Sequence, residues 1–253
     1  MKNVLITICG RAGSKGFQNK NLKTFCGKPL VYYSLAAAEL FCKQREDLTV
    51  DICLNTDSAP LVELVHAAYP NVGYIPRPES LAGDTIAKMA VFQQSLQYME
   101  EKTGKRYDYL IDLDITSPLR QAEDILGTFT EKENRPDLDL VFSVTHARRT
   151  PYMNQAKVVD DHVERVIDHH FTARQQTPPV YDLNASIYVF ERKFLVENET
   201  AFLWDGKCGA YVMYDTGILD IDSEEDFFLM EVIGDYLYKN IDGFTQVREN
   251  IKI

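Results

Sequence analysis

Residues capable of chemistry gather in a few short segments of this 253-residue chain. The first is Ile8-Cys9-Gly10-Arg11-Ala12-Gly13-Ser14-Lys15-Gly16, directly after an apolar run. Its glycines permit positive φ and close approach of the backbone to a ligand. Arg11, Lys15 and Lys20 could hold phosphate oxygens by charge-assisted bonds, and Ser14 could add a hydroxyl. The segment matches neither G-x-G-x-x-G nor the Walker pattern, because no second Gly stands directly before a Lys-Ser/Thr pair, so dinucleotide dehydrogenases and P-loop ATPases lose support. Two carboxylate pairs follow, Asp112-Leu113-Asp114 and Asp220-Ile221-Asp222, each read as the end of a strand-like apolar run. Residues i and i+2 of a strand share a face, so either pair can offer oxygens together to a hard cation such as Mg²⁺. Two carboxylates this close repel unless a cation or base compensates them. Taken singly, a Gly-rich turn or one D-x-D is as well explained by a tight turn or a solvated strand end. Together they point to a metal-dependent nucleotide site.

Charge sharpens that reading. The chain carries a formal −11, which argues against nucleic-acid wrapping and against anionic membrane surfaces. Yet no Asp or Glu precedes Glu39, while Lys2, Arg11, Lys15, Lys20, Lys23 and Lys28 all do. Positive charge confined to a glycine-containing segment of an acidic protein suits a local polyanion site.

The elements that must position these groups are legible as runs. Strand-like stretches lie at Val4 to Cys9, Val50 to Asn55, Asn71 to Ile75, Tyr107 to Asp114 and Asp139 to Val144. Helical patterns alternate with them at Pro29 to Phe41, Ser58 to Tyr69, Asp84 to Lys102 and Gln121 to Arg135, with Ser58 and Asp84 as expected caps. The alternation predicts a Rossmann-like α/β fold, a mostly parallel sheet with helices on both faces. One domain over 1–253 is expected. The rhythm breaks after Val144, so an inserted arm, serving as lid or dimer contact, is expected at about 146–190. Within it, Lys157 to Asp160 and Val163 to Ile167 suggest a hairpin, and Ser186 to Phe190 reads as a strand returning to the body. Ala210 to Tyr214 and Ile218 to Asp222 re-enter the core, and a final helix starts at the capping-box-like Ser223-Glu224-Glu225-Asp226. Val4 to Cys9 is too short for a signal-peptide core, and no stretch approaches the roughly 18 apolar residues of a membrane span. A cytoplasmic protein is expected. The five cysteines have no metal-ligand spacing and are read as reduced thiols.

Several segments together carry a family resemblance. Arg11-Ala12-Gly13-Ser14-Lys15-Gly16, with Lys20-Asn21-Leu22 and Gly27-Lys28-Pro29-Leu30, resembles the amino-terminal signature of acylneuraminate cytidylyltransferases, the CMP-sialic acid synthetases. Arg77-Pro78-Glu79 with Leu81-Ala82-Gly83-Asp84-Thr85 is similar to the family's base-recognition stretch, Thr116-Ser117-Pro118-Leu119-Arg120 to its T-S-P-L-R motif, and Asp220-Ile221-Asp222 to its metal-binding D-I-D. The resemblance spans nearly the whole chain. It implies a nucleotide-diphospho-sugar transferase-like fold, and an enzyme in which the anomeric hydroxyl of a nonulosonic acid attacks the α-phosphate of CTP and pyrophosphate leaves.

Residue by residue, the resemblance implies that Arg11, Gly13, Ser14, Lys15, Lys20 and Asn21 hold triphosphate and ribose. It implies further that Arg77, Ala82 and Thr85 read cytosine and that Asp220 and Asp222 bind Mg²⁺. The arm, with Arg174, Gln175, Tyr181 and Asn184, lies where the family binds the sugar acid and builds a homodimer. Thr116 and Ser117 join the sugar side. Arg11, Lys20 and Asp114 are the expected catalytic groups. One departure stands out: sialic acid enzymes usually read L-Q-P-T-S-P-L-R, and here Asp114 replaces the Gln. An ionised carboxylate accepts but cannot donate. Asp114 is therefore expected as a metal ligand, a general base or a sugar contact, and legionaminic or pseudaminic acids become credible acceptors beside N-acetylneuraminic acid. The alternatives are a synthetase for 3-deoxy-manno-octulosonate, which the T-S-P-L-R motif opposes, and a non-catalytic nucleotide-sugar sensor, which intact Arg11, Lys20, Asp220 and Asp222 oppose. His169-His170 is read as a surface or interface pair, since adjacent residues of an extended chain point oppositely.

Overall fold

The computed structural model describes residues 1–13, 16–83 and 86–252. The expectations for Ser14, Lys15 and Thr85, and for a helix start at Asp84, lie outside these residues. The chain opens with β1 (Lys2–Gly10), a small antiparallel pair β2 (Thr24–Phe25) and β3 (Lys28–Pro29), and α1 (Leu30–Gln44). It continues through β4 (Leu48–Thr56), α2 (Ala59–Ala68), β5 (Gly73–Pro76), α3 (Lys88–Thr103), β6 (Tyr109–Leu113), α4 (Ala122–Asn134) and β7 (Leu140–His146). A hairpin of β8 (Ala156–Val159) and β9 (His162–Arg165) precedes β10 (Tyr181–Glu191), α5 (Arg192–Glu197), β11 (Cys208–Val212), α6 (Glu224–Asn240) and α7 (Asp242–Glu249).

Seven strands form one sheet in the order β11-β7-β10-β6-β1-β4-β5. Every adjacent pair is parallel except the two that β10 makes, with β6 and with β7. The expected mostly parallel Rossmann-like sheet is therefore present, with one strand inserted backwards. Because β1, β4 and β6 are parallel neighbours, their carboxyl ends converge on one edge, the place where such sheets bind ligands. One apolar layer packs α1, α2, α4, α6 and α7 on one face through residues such as Phe41, Leu61, Phe129, Tyr238 and Phe244. The other packs α3 and α5 on the opposite face through Phe92, Leu96 and Phe194.

The arm leaves the sheet after His146 and returns at Tyr181, so β10 belongs to the body along its whole length. That strand is longer than the expected Ser186 to Phe190 because its pairing with β7 shifts register between Leu183 and Tyr188, which interrupts the alternation. Ile218 to Asp222 is a correction of a different kind. A short turn, Asp215–Ile218, leads into extended chain with no ladder partner, so Asp220 and Asp222 do not end a strand. The alternation that suggested one is still used: Ile221 is fully buried and its N–H donates to Thr116 O at 2.9 Å, while its two neighbours face the ligand edge. Pro29 precedes α1 as its cap instead of opening its first turn. Ser223 caps α6 through a reciprocal capping box with Asp226, as expected.

Candidate active site

A cavity of about 670 Å³ opens at the carboxyl ends of β1, β5 and β6. On one side stands the loop after β1. Gly10 is buried so closely that a Cβ there would meet Leu61 Cδ2 at 2.7 Å and Ile115 Cδ1 at 2.9 Å. Gly13 holds φ at +70°, a backbone state that favours glycine. Arg11, Lys20 and Asn21 line the cavity. Asn21 Nδ2 donates to Arg11 O at 3.2 Å, and Asp57 Oδ1 accepts from Ala12 N at 2.7 Å, which holds the peptide between Arg11 and Ala12 from both sides.

Across from this loop lies the second carboxylate pair. Lys20 Nζ donates to Ile221 O at 2.6 Å and to Asp222 Oδ1 at 2.9 Å. A Cβ on Gly16 would come within 2.7 Å of Asp222 O, so only glycine permits this contact between loops far apart in sequence. Burial raises the Asp220 carboxyl above the usual range, and the charges of Asp222 and Asp114 add to it. The Lys20 ammonium offsets this only in part. Among the described residues no three His, Cys, Asp or Glu side chains form a ready cage. Two carboxylates beside open space suit Mg²⁺, which keeps waters and takes phosphate oxygens as its remaining ligands.

The floor between these walls is the end of β6. Asp112 and Asp114 share a face, as the period of two requires. The compensating cation is Lys88, the first residue of α3, whose Nζ lies 2.6 Å from Asp114 Oδ2 and 3.1 Å from Asp112 Oδ2. Asp114 Oδ1 accepts from both the N–H and the hydroxyl of Thr116, each at 2.8 Å. Burial alone would raise this carboxyl, but Lys88 and the Thr116 donors outweigh it and hold it at about 2. Asp114 is thus charged at any working pH and a weak proton acceptor, which disfavours the general-base expectation. The Lys88 ammonium also stands where a metal would approach Oδ2, so the Asp114 metal-ligand expectation loses support.

Arg120, the last residue of T-S-P-L-R, is wholly buried and donates to Ser186 O at 2.6 Å, to Ser34 Oγ at 3.0 Å and to Asp114 O. Desolvation lowers its guanidinium to about 10 against the pull of Asp114 and Asp112. It fastens the loop after β6 and does not line the cavity. Ser117 is buried with no hydrogen bond to its hydroxyl among the described residues, and Thr116 lines the cavity.

The base-recognition stretch forms the remaining wall. Arg77 lines the cavity, and its Nε donates to Asn55 Oδ1 at 2.8 Å. Asn55 is itself fully buried and held by Gln94 and Ser95, each at 2.8 Å. Ala82 closes a short turn, Glu79–Leu81, between Leu81 and Gly83, which line the cavity while Ala82 does not.

The arm residues are placed elsewhere. Arg174 sits exposed in a short turn, Arg174–Gln176, beside Gln175, and donates to Arg148 O. Tyr181 packs on His146 with ring centroids 5.5 Å apart. Asn184 is buried in the irregular part of β10, accepting from Ser143 Oγ at 2.5 Å and contacting Met213 Sδ at 3.3 Å. Within one chain, none of these four lines the cavity that holds Asp114. Lys88 and Asn55 are the residues that motif reading missed. The need for a cation near Asp112 and Asp114 was a signal for Lys88, but the pair is 26 positions apart from Asp114 and the sequence offers many lysines.

The match to a family model described as Cytidylyltransferase covers residues 5–232. The chain belongs to the cytidylyltransferase family. It is 36% identical to the Post-translational flagellin modification protein B of Campylobacter coli, over 92% of this chain and 95% of that one. It is also 36% identical to the CMP-N,N'-diacetyllegionaminic acid synthase of Campylobacter jejuni, again over 92% and 95%. The resemblance read from the motifs is borne out. Among solved structures, a CMP:2-keto-3-deoxy-manno-octonic acid synthetase complexed with CTP superposes with a TM-score of 0.64 at 15% identity, over 92% of this chain and 98% of that one. At that identity the likeness speaks for the fold.

Proposed function

We propose that the protein transfers CMP from CTP to a nonulosonic acid, releasing pyrophosphate. The observation that carries this reading is the meeting, in one cavity, of the Arg11 to Asn21 loop, Arg77 and the Asp220/Asp222 pair. The anomeric oxygen of the acid forms a bond to the α-phosphorus, the bond from that phosphorus to the bridging oxygen of the β-phosphate breaks, and the hydroxyl proton is lost to solvent. Arg11 and Lys20 bind the triphosphate and offset charge that builds on the departing pyrophosphate. Asn21 positions the ribose side, and Arg77, fixed by Asn55, presents its guanidinium to the base. Asp220 and Asp222 would hold Mg²⁺, which neutralises phosphate charge and orients the leaving group. Asp114 and Thr116 face the acceptor. Much of the rate would come from holding the two substrates in register.

Legionaminic-type acids are the first acceptors to test, given the relative that is named for one. The protein works as a homodimer through its arm, and no helix among the described residues is long and apolar enough to cross a membrane. The deciding experiment incubates the full chain with CTP, Mg²⁺ and, separately, N-acetylneuraminic, legionaminic, pseudaminic and 3-deoxy-manno-octulosonic acids, with mass spectrometry of products. A CMP-linked nine-carbon acid, abolished by EDTA, is the expected result. Transfer only to the eight-carbon acid, or CTP binding without pyrophosphate release, would refute it.

A further inference from the structure

Asp112 is wholly buried, with Oδ1 accepting from Thr7 Oγ1 at 3.0 Å and Oδ2 making no hydrogen bond. Its only close counter-charge among the described ion pairs is Lys88 Nζ at 3.1 Å. The same ammonium reaches Asp114 Oδ2 at 2.6 Å and lies over the rings of Phe92 and Tyr188 at 5.7 and 5.6 Å. Two acids and two aromatic faces therefore fix it from α3, β6 and β10 at once. Arg120 lies on the buried side, where its charge interacts with both Asp114 and Asp112, but its hydrogen bond goes to the Asp114 backbone carbonyl and not to a carboxylate. Of the two cations only Lys88 reaches the cavity wall. An aspartate cluster with a single cation would leave an uncompensated charge at the floor of a site meant for two anionic substrates.

Resting on the proposed CMP transfer, we infer that Lys88 is a positioning residue for acceptor recognition. It locks Asp114 as a charged hydrogen-bond acceptor, and so selects a nonulosonic acid that presents an O–H or N–H donor, a ring hydroxyl or an acylamino group, at that point. Asp114 lines the same cavity as Asp220 and Asp222, the pair proposed to hold Mg²⁺, so it faces the space where the attacking sugar must lie. A carboxylate at this position requires the lysine. A glutamine there would not, because an amide carries no charge and both donates and accepts. Lys88 and Asp114 thus act as one specificity element contributed by two separate segments.

The test measures steady-state kinetics of the full chain, varying CTP and acceptor independently, for wild type, Lys88→Met, Lys88→Arg, Asp114→Gln and the double variant Lys88→Met/Asp114→Gln. Lys88→Met is expected to raise the acceptor KM about tenfold or more while changing the CTP KM less than about twofold. Lys88→Arg should recover most of that loss. Where Lys88→Met fails to fold, Asp114→Gln, which keeps the cation beside Asp112, carries the test through a changed order of preference among the four acids; the double variant, in which Asp112 loses its lysine, is read where it folds. It should bind acceptor better than Lys88→Met and show a changed order of preference among the four acids. A folded Lys88→Met with an unaltered acceptor KM, equal increases for CTP and acceptor, or a double variant with wild-type preference would each overturn the inference while the wild type still transfers CMP. A wild type that transfers CMP to none of the acids would overturn the proposed function, and this inference with it.

Discussion

Burial gives Asp124 a proton affinity that its unfolded counterpart lacks. The side chain is 4% exposed, accepts from Gln121 N at 2.8 Å in the capping box of α4, and has its carboxyl raised to about 6 from 3.8, with desolvation outweighing the backbone bond and Arg120. Below both values the folded and unfolded chains are protonated alike. Between them the folded chain alone keeps the proton, so stability falls as pH rises through that window and stays lower above it. Asp124→Asn keeps an acceptor for Gln121 N and removes the charge. Urea unfolding should show the variant more stable than wild type by about 2 kcal/mol at pH 8, with the difference gone by pH 4. A difference independent of pH would dismiss this origin. Such residues show how far single positions can be read from sequence. The carboxylate pair at Asp112 and Asp114 was visible as a pattern, but the ammonium that completes it arrives from another element, and the pattern holds no distance.

Elements were more legible than contacts. Apolar runs of period two and helical runs gave the order of strands and helices, because each element buries one face against the sheet. What the runs could not show was the reversal of β10 between β6 and β7, since a strand's sequence does not encode its direction. The D-I-D segment looked like a strand because its alternation serves two environments, Ile221 in the core and the acids in the cavity, without any ladder. The junction of these elements depends on Arg120, which ties the loop after β6 to α1 through Ser34 and to β10 through Ser186. Removing a buried charge while its partners stay behind is costly. Arg120→Leu should lower stability by about 3 to 5 kcal/mol and lose the Asp114 geometry with it, read as a shifted urea midpoint. A midpoint equal to wild type would show that β6 and β10 hold the loop unaided.

At the scale of the molecule, among the described residues the arm contributes no side chain to either apolar core. Among the described residues, strands β8 and β9 pair only with each other, and the facing Val158 and Val163 are 78% and 68% exposed. A two-stranded ribbon is marginal in water, so this one needs a covering surface. Apolar residues Phe228, Leu229, Val232 and Tyr236 stand exposed along α6, and exposed patches of this kind mark contacts. In the proposed homodimer a second copy would cover both surfaces in a self-complementary, twofold arrangement. Light scattering should give twice the chain mass of 29.0 kDa for wild type, and Val158→Asp/Val163→Asp should return a single-chain species of 29.0 kDa. The residues proposed to bind nucleotide, Arg11, Lys20, Asn21 and Arg77, line the cavity within one chain, whereas Arg174, Gln175 and Tyr181 lie on or at the edge of the arm. If they serve the partner's cavity, the monomeric variant keeps its CTP KM and loses acceptor affinity about tenfold or more. Equal kinetics in the monomer and the dimer would confine the arm to assembly, and a wild type that scatters as a single chain would remove the dimer itself.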